Sequence, residues 1–160
     1  MELWDAYNKD FNKIENMILE RGKSIPEGVF HLVCEIVVKH IDGSYLLMQR
    51  DYQKHLGGLW ELTAGGSALK GENAFDCAYR ELQEETGIKS NNLVEINRIA
   101  QEENHTLYVE YLCVTDCPKD AIILQAGETI AYKWVTLEEL KTMATKELAA
   151  TRTLKTLGIH

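Results

Sequence analysis

The sequence predicts an α/β fold in which helices cover the faces of a mixed β-sheet. Segments rich in β-branched residues alternate with amphipathic helical patterns, and this interleaving is typical of layered folds. The composition, 45% hydrophobic and 26% charged, is close to that of an average globular domain. The 160 residues contain no Pro/Gly/Ser-rich linker, so we expect one domain over residues 1–160.

The first predicted element is an N-terminal hairpin extension within residues 1–28. Apolar residues flank the polar sequence Asn8-Lys9-Asp10. This Asn/Asp cluster favours a turn between two strands, and a single helix is the alternative. Residues 29–39 and 45–49 follow as two buried strands, since they are rich in β-branched or other apolar residues, and the turn sequence Asp42-Gly43-Ser44 joins them.

A shorter strand is predicted at residues 60–63. Glycine pairs flank it, and glycine adopts backbone conformations that other residues avoid. We therefore expect a tight, exposed loop at Gly65 and Gly66.

Residues 72–86 form the clearest helix candidate of the sequence. Four apolar residues recur there at helical spacing, and Gly87 stands where a left-handed glycine would end the helix. The apolar residues are Ala74, Phe75, Ala78 and Leu82.

The remaining elements complete the alternation of strands and helices. Residues 93–100 and 106–115 read as an antiparallel pair, followed by a strand at residues 131–135. The sequence Thr136-Leu137-Glu138-Glu139 matches a capping box that opens a short helix. Residues 146–157 carry a further helical pattern.

Charge and hydropathy exclude several classes of function. The net charge of −8 leaves no basic surface for a nucleic-acid polymer. The sequence has no apolar run of membrane-spanning length and no signal peptide at its start, so we expect a cytoplasmic protein without membrane contact. The four cysteines form no C-x-x-C pair and are expected to be buried free thiols.

Three glutamates, Glu81, Glu84 and Glu85, crowd one side of the predicted helix although like charges at this spacing repel one another. At about 100° per residue, Glu85 falls within the apolar stripe and Glu81 directly beside it. Partly buried carboxylates are costly unless a cation compensates them, and Mg²⁺ or Mn²⁺ prefers such oxygen ligands. The alternative is an ordinary acidic helix balanced by lysine and arginine side chains.

The sequence from Gly66 to Ile88 resembles the Nudix box, G-x5-E-x7-R-E-U-x-E-E-x-G-U, in which U is aliphatic. Every specified position agrees, including Glu72 and the run Arg80-Glu81-Leu82-Gln83-Glu84-Glu85-Thr86-Gly87-Ile88. The wider layout of residues 29–145 is also similar to that of the family. The resemblance implies an α/β/α sandwich around a mixed β-sheet and a metal-dependent hydrolase that cleaves a pyrophosphate bond.

The resemblance also implies roles for individual residues. Glu81, Glu84 and Glu85 would bind Mg²⁺ or Mn²⁺ together with the carbonyl of Gly65, and Glu81 would be the general base. Glu128 would be a further ligand or the base, the alternative being an exposed turn residue.

Other residues of the box and its surroundings have less direct expected roles. Arg80 would orient Glu81 by a charge-assisted hydrogen bond, the alternative being a surface arginine. Glu72 would either support the metal ligands or complement the helix dipole. Gly66 and Gly87 complete the box. Arg50 would meet a substrate phosphate or form a surface ion pair.

The predicted substrate is a small phosphorylated molecule, a nucleoside diphosphate linked to another moiety, and the leaving group stays open. Two other functions are alternatives. One is an isopentenyl-diphosphate isomerase, whose active-site cysteine would stand where this sequence has Thr63 and Ala64. The other is a non-catalytic nucleotide sensor. A homodimer is compatible with the family resemblance.

Overall fold

Strand β3 (His31–His40) is the centre of the fold, because three other strands pair with it. The structure is a computed structural model that describes residues 1–143 and 145–159. Strand β8 (Thr106–Thr115) runs parallel to β3 over its whole length, from His31 opposite Thr106 to His40 opposite Thr115. Strands β4 (Tyr45–Arg50) and β6 (Thr63–Ser67) lie antiparallel on its other side.

Three more strands complete a seven-stranded mixed sheet. Strand β7 (Leu93–Gln101) pairs antiparallel with β8. Strands β5 (Trp60–Glu61) and β9 (Thr129–Val135) both pair antiparallel with β4. The parallel contact between β3 and β8 makes the sheet mixed, so the predicted fold class is confirmed.

The N-terminal hairpin predicted from the polar turn is present. Strands β1 (Leu3–Tyr7) and β2 (Lys13–Glu20) pair antiparallel in a separate two-stranded sheet. Backbone hydrogen bonds between Tyr7 and Phe30 join the hairpin to the start of β3. Its own small core consists of buried apolar residues at Trp4, Ala6, Leu19 and Val29. The hairpin is therefore packed against the rest of the fold at the end of β3 that lies nearest His31.

Helices cover both faces of the large sheet. Helix α1 (Ala74–Thr86) packs on the face that carries the buried side chains Cys34 and Ile36 of β3. Helices α2 (Leu137–Thr142) and α3 (Arg152–Thr156) lie with Val37 and Leu47 on the opposite face. The predicted capping box of Thr136 and Glu139 is present at α2. Among the described residues, no helix is long and apolar enough to cross a membrane.

The structure corrects the prediction for the glycine pair that follows the predicted strand at residues 60–63. Gly65 and Gly66 lie inside β6, opposite Glu35 and Cys34 of β3, rather than in an exposed loop. Glycine is required there for space: a Cβ at position 65 would lie 2.0 Å from the carbonyl oxygen of Cys34. The sequence pattern identified the need for glycine but not its cause.

Two helical predictions were also partly wrong. Residues 146–157 do not form one helix: a 3₁₀ turn at Thr145–Glu147 is followed by an extended segment, in which Leu148 pairs with Trp60, before α3 begins. The hydrogen bond from Ala149 N to the carbonyl of Trp60 competes with helical bonding in this segment. Phe75, assigned to the apolar stripe of α1, is 40% exposed, and Cys77 is buried instead.

Candidate active site

Helix α1 carries the candidate site, and both of its ends are fixed by local chemistry. The side chain of Asn73 accepts a hydrogen bond from the backbone N–H of Asp76 (2.8 Å) and caps the first turn. Gly87 ends the helix with φ 78°, a left-handed conformation that glycine adopts without steric cost, and its N–H donates to the carbonyl of Gln83. The predicted end of the helix at Gly87 is confirmed, whereas its start lies two residues after Glu72.

The three glutamates of the helix differ strongly in burial. Glu85 is 7% exposed, the side chain of Glu81 is 13% exposed and that of Glu84 is 44% exposed. Glu85 lies on the same face as the buried Ala78 and Leu82. The prediction that two of the acids border the core is confirmed.

Glu85 is the least compensated of these carboxylates. Its Oε2 accepts one hydrogen bond, from the backbone N–H of Gly65 at 3.2 Å. Within residues 1–143 and 145–159 it forms no ion pair. Burial raises the pKa of Glu85 well above its ordinary value, and the nearby charges of Glu61 and Glu81 raise it further.

Arg80 forms hydrogen bonds with three carboxylates of the acidic cluster. Its Nε donates to Glu72 at 2.7 Å, and its Nη1 donates to Glu81 at 2.8 Å and to Glu84 at 3.1 Å. Its Nη2 donates to the carbonyl of Ser67 at 3.1 Å. The hydrogen bond to Glu72 contributes most to raising the pKa of Arg80. The guanidinium is therefore fixed from several sides and stays charged.

The hydrogen bond expected between Arg80 and Glu81 is thus present, and so is the i,i+4 pair with Glu84 that an ordinary acidic helix would contain. Burial is the main influence on the pKa of Glu81 and raises it, whereas Arg80 opposes this effect. Arginine therefore balances Glu84 and part of Glu81, but it does not reach Glu85.

Glu72 supports Arg80 from outside the helix. Its Oε1 accepts from the backbone N–H of Leu69 at 2.8 Å and from Nη2 of Arg80 at 2.9 Å. Burial alone would raise the pKa of Glu72, but the hydrogen bonds from Arg80 and Leu69 outweigh it and lower the pKa. The two roles expected for Glu72 were support of the metal ligands and complement to the helix dipole. The contacts favour the first, because Glu72 holds Arg80, and Arg80 bonds Glu81 and Glu84.

Gly66 leaves the space that Glu81 occupies. A Cβ at position 66 would lie 2.6 Å from Oε1 of Glu81. Together with the N–H of Gly65, this contact means that β6 sets the positions of two helix carboxylates. The helix and the strand therefore build one site.

Glu128 approaches the same site from the loop before β9. Its carboxylate forms an ion pair with Lys54, and both residues lie at the cleft beside Glu85. The loop is attached to the end of α1, because Ile123 donates its backbone N–H to the carbonyl of Thr86 at 2.9 Å. The side chain of Ile123 also packs against Gly87.

Arg50 lies farther along the same side of the sheet. Its Nη1 forms an ion pair with Glu61, and its Nε donates to the carbonyl of His55 at 2.8 Å. The structure thus contains the ion pair that was the alternative for Arg50, in a cavity next to the cleft and not on open surface.

The carboxylates and Arg80 line a cleft of about 450 Å³. Its walls are formed by β6, α1, the loops that carry Lys54 and Glu128, and the N-terminal hairpin at Glu2 and Arg21. They include Lys54, Gly65, Gly66, Arg80, Glu81, Glu84, Glu85 and Glu128. This volume is within the range of small-molecule sites. The structure therefore brings together every residue predicted for metal binding.

The donor set of this cleft fits a hard divalent cation. Carboxylate oxygens are the ligands that Mg²⁺ and Mn²⁺ prefer, and Glu85 lacks a positive partner among the described residues. In residues 1–143 and 145–159, no group of three His, Cys, Asp or Glu side chains is already arranged around an ion. The exposed Glu84 is bonded to Nη1 of Arg80 at 3.1 Å.

The NUDIX domain model matches residues 30–155, which cover the large sheet and the acidic cleft. The chain belongs to the Nudix family. It is also 30% identical over 148 residues to an uncharacterized Nudix hydrolase of Listeria monocytogenes, and the match covers 89% of this chain and 85% of that protein. The family predicted from the box is therefore confirmed, and the protein is a Nudix hydrolase.

Two solved structures show the same Nudix fold. The crystal structure of Deinococcus radiodurans DR0079 has a TM-score of 0.78 at 15% identity and covers 99% of both chains. The Nudix domain of Shewanella oneidensis NrtR, in complex with ADP-ribose, has a TM-score of 0.65 at 18% identity and covers 88% of this chain and 92% of that chain. The whole chain, hairpin included, is therefore represented in a known structure.

An isopentenyl-diphosphate isomerase of Pectobacterium atrosepticum is also similar, at 26% identity over 147 residues, 88% of this chain and 80% of that protein. This likeness agrees with the isomerase alternative at the level of sequence. The strand before the Nudix box nevertheless has Thr63 and Ala64 where the isomerase alternative expects a cysteine, and the two thiols next to this strand and within the box, Cys34 and Cys77, are fully buried.

Sequence reasoning missed several charged residues of the Nudix cleft and its extension. Lys54 and Glu61 come from the loop after β4 and from β5, and Glu35 and Arg152 come from β3 and α3. The sequence contains a signal for a functional role of Glu35, since this acid stands within a run of β-branched residues. It contains no such signal for Arg152, because the segment of Arg152 was predicted as an ordinary terminal helix.

Proposed function

We propose that this Nudix hydrolase cleaves the pyrophosphate bond of a nucleoside diphosphate linked to another moiety, with Mg²⁺ or Mn²⁺ as cofactor. Glu81, Glu84 and Glu85 would hold the cation, with Glu128 and the carbonyl of Gly65 as further ligands. A bound divalent cation would neutralise charge on the phosphate oxygens and activate water.

One observation carries the proposal: Glu85 is a buried carboxylate with a single backbone hydrogen bond and two acidic neighbours. Such a group is costly to the folded protein unless a cation binds it. The cleft beside it is open to small molecules, which separates this carboxylate from acids buried only for structural reasons.

The other residues of the cleft have roles that follow from their contacts. Glu81 is the first candidate for the general base, since burial raises its pKa towards the operating range of a base. Arg80 holds Glu81 in place, and Glu72 holds Arg80. Lys54, which ends at the same cleft, supplies a positive charge that an incoming phosphate would meet.

The test is a hydrolysis panel, read by chromatographic separation of the nucleotide products, in which ADP-ribose, nucleoside triphosphates, dinucleoside polyphosphates and sugar nucleotides are each assayed with and without Mg²⁺ or Mn²⁺. We expect metal-dependent hydrolysis of at least one compound, and a loss of several orders of magnitude in rate in Glu84→Gln and Glu85→Gln. Lys89→Ala, just outside the box, is the matched control. Turnover near the wild-type level in both glutamine variants would reject the assignment.

The isomerase is the second candidate, because of the 26% identity to an isopentenyl-diphosphate isomerase. Isopentenyl diphosphate, added to the same panel and followed by conversion to its isomer, tests this function directly. Isomerisation without hydrolysis of any compound in the panel would replace the hydrolase proposal.

A further inference from the structure

The acidic cleft continues into a second cavity that no metal ligand other than Glu85 and Gly65 reaches. This cavity has a volume of about 300 Å³ and shares Lys54, Gly65, Gly66 and Glu85 with the cleft. We call it the distal pocket and define it by the charged and aromatic residues that line its far side, Glu35, Arg50, Glu61, Tyr108 and Arg152. A molecule whose diphosphate lay beside Glu85 would extend into it.

Arg152 is rigidly held at the far side of the distal pocket. Its Nε donates to Oε1 of Glu35 at 3.0 Å, and its Nη2 donates to Oε2 at 2.7 Å. Its guanidinium carbon lies 3.7 Å from the centre of the Tyr108 ring. A guanidinium fixed in this way by a carboxylate fork and an aromatic face is pre-organised for a further hydrogen bond. Among the described residues, its Nη1 has no hydrogen-bond partner.

The charges of the distal pocket balance one another. Arg152 faces Glu35, Arg50 is paired with Glu61, and Lys54, which pairs with Glu128, lines the pocket together with Glu85. The pocket therefore offers fixed donors and fixed acceptors side by side without a net positive field. A second anionic group would meet Glu35 and Glu61, and a hydrocarbon would leave polar groups without partners.

We propose that Arg152 is a specificity-determining residue, which donates from Nη1 to a hydroxyl-bearing group, such as a sugar, linked to the diphosphate of the substrate. Sugar hydroxyls both donate and accept hydrogen bonds, so they match the paired carboxylates and guanidinium groups of the distal pocket. This inference rests on the proposed function, because it assigns the moiety beyond the diphosphate that the Nudix box holds.

The experiment compares three substrates that differ beyond the diphosphate: ADP-ribose with its hydroxyl groups, ATP with an anionic group, and isopentenyl diphosphate with a hydrocarbon. The variant Arg152→Lys keeps the positive charge beside Glu35 but removes the planar fork. We expect KM for ADP-ribose to rise by about tenfold or more, with kcat changed little and the other two substrates affected less. The wild type should have its highest kcat/KM with ADP-ribose.

Arg98→Lys is the matched control. Arg98 also binds one carboxylate through two nitrogens, at 2.8 and 3.0 Å from Glu95, and lies over an aromatic ring, that of Phe11, but it is outside the cleft and the distal pocket. Its replacement should leave all three KM values unchanged. If Arg152→Lys does not fold, the double variant Glu35→Gln with Arg152→Gln removes both charges together and serves the same purpose.

The outcomes separate this inference from the proposed function. A wild-type preference for ATP or isopentenyl diphosphate, or equal effects of Arg152→Lys on all three substrates, would overturn the role of Arg152 while hydrolysis stands. Absence of metal-dependent hydrolysis in the whole panel would overturn the proposed function. In that case calorimetric titration with ADP-ribose still decides the inference, which requires about tenfold weaker binding to Arg152→Lys than to the wild type.

Discussion

Replacement of Glu85 by glutamine should stabilise the metal-free protein while it removes cation binding. Glutamine has nearly the same shape and can still accept the hydrogen bond from Gly65, so the fold loses no contact. It removes a buried negative charge that has no cationic partner among the described residues and that lies near Glu61 and Glu81. The usual expectation, that a mutation at an active site destabilises or is neutral, is therefore reversed.

The sign and size of the effect follow from the raised pKa of Glu85. Below the ordinary pKa near 4.5, the carboxyl is protonated in both states and its burial costs little. As the pH rises above this value, the unfolded state ionises first, so the folded wild type loses stability until its own pKa is passed. One unit of difference in pKa is worth about 1.4 kcal/mol. For a chain of this size, about 1 kcal/mol shifts Tm by roughly 2–4 °C.

Thermal unfolding after treatment with a chelator provides the measurement. Glu85→Gln should have a Tm at least about 3 °C above that of the wild type at pH 8, and the difference should shrink towards zero at pH 4. Saturating Mn²⁺ should then raise the Tm of the wild type by several degrees and leave that of Glu85→Gln unchanged.

Glu84→Gln is the control for this experiment, because Glu84 is exposed and paired with Arg80 on the same helix. It should show no stabilisation without metal. If Glu85→Gln and Glu84→Gln had the same Tm at pH 8 without metal, the reasoning about the uncompensated carboxylate would be wrong.

Three further predictions concern neighbouring residues. Gly65→Ala should lower the free energy of unfolding in urea by about 3 kcal/mol or more, since its Cβ would meet the carbonyl oxygen of Cys34. Gly66→Ala should lower it by about 1 kcal/mol but weaken Mn²⁺ binding, because its Cβ would displace Glu81. Equal costs would contradict the steric argument. Arg80→Met should lower the free energy of unfolding without metal by about 2 kcal/mol at pH 7, and Mn²⁺ should restore most of it in the same unfolding assay. If Mn²⁺ restored none of this stability, Arg80 and a cation would not compensate the same acids. Burial lowers the pKa of His31 to about 4, so only the unfolded histidine takes up a proton between pH 6.5 and 4. Over that range the free energy of unfolding of the wild type should fall by roughly 2 kcal/mol relative to His31→Gln. Parallel pH profiles of the two proteins would refute this.

The acidic side of the site could be predicted because its spacing lies within one helix. The residues Glu81, Glu84 and Glu85 are three and four positions apart, so helical geometry alone places them together. Their different burial also followed from their angles relative to the apolar stripe. The strands were predictable for a similar reason, since β-branched runs such as that of β3 depend on local pattern.

The opposite side of the site could not be predicted, since it depends on contacts between distant parts of the chain. Glu35 and Arg152 are 117 positions apart, and only the placement of α3 against β3 brings them together. Gly65 illustrates the same limit. Its sequence context fits a turn, and only the closeness of β3 explains why no side chain is tolerated there.

The attachment of Ile123 to the end of α1 has a mechanical consequence. Because its N–H bonds to Thr86 and its side chain packs on Gly87, the loop that carries Glu128 is tethered one residue after Glu85. We expect the loop and the helix end to move as one body, and the segment that carries Lys54 to move with them, because Asp51 donates its backbone N–H to the carbonyl of Glu128 and Lys54 pairs with the Glu128 carboxylate. Hydrogen exchange at the backbone N–H of Ile123 should then be as slow as in the last turn of the helix.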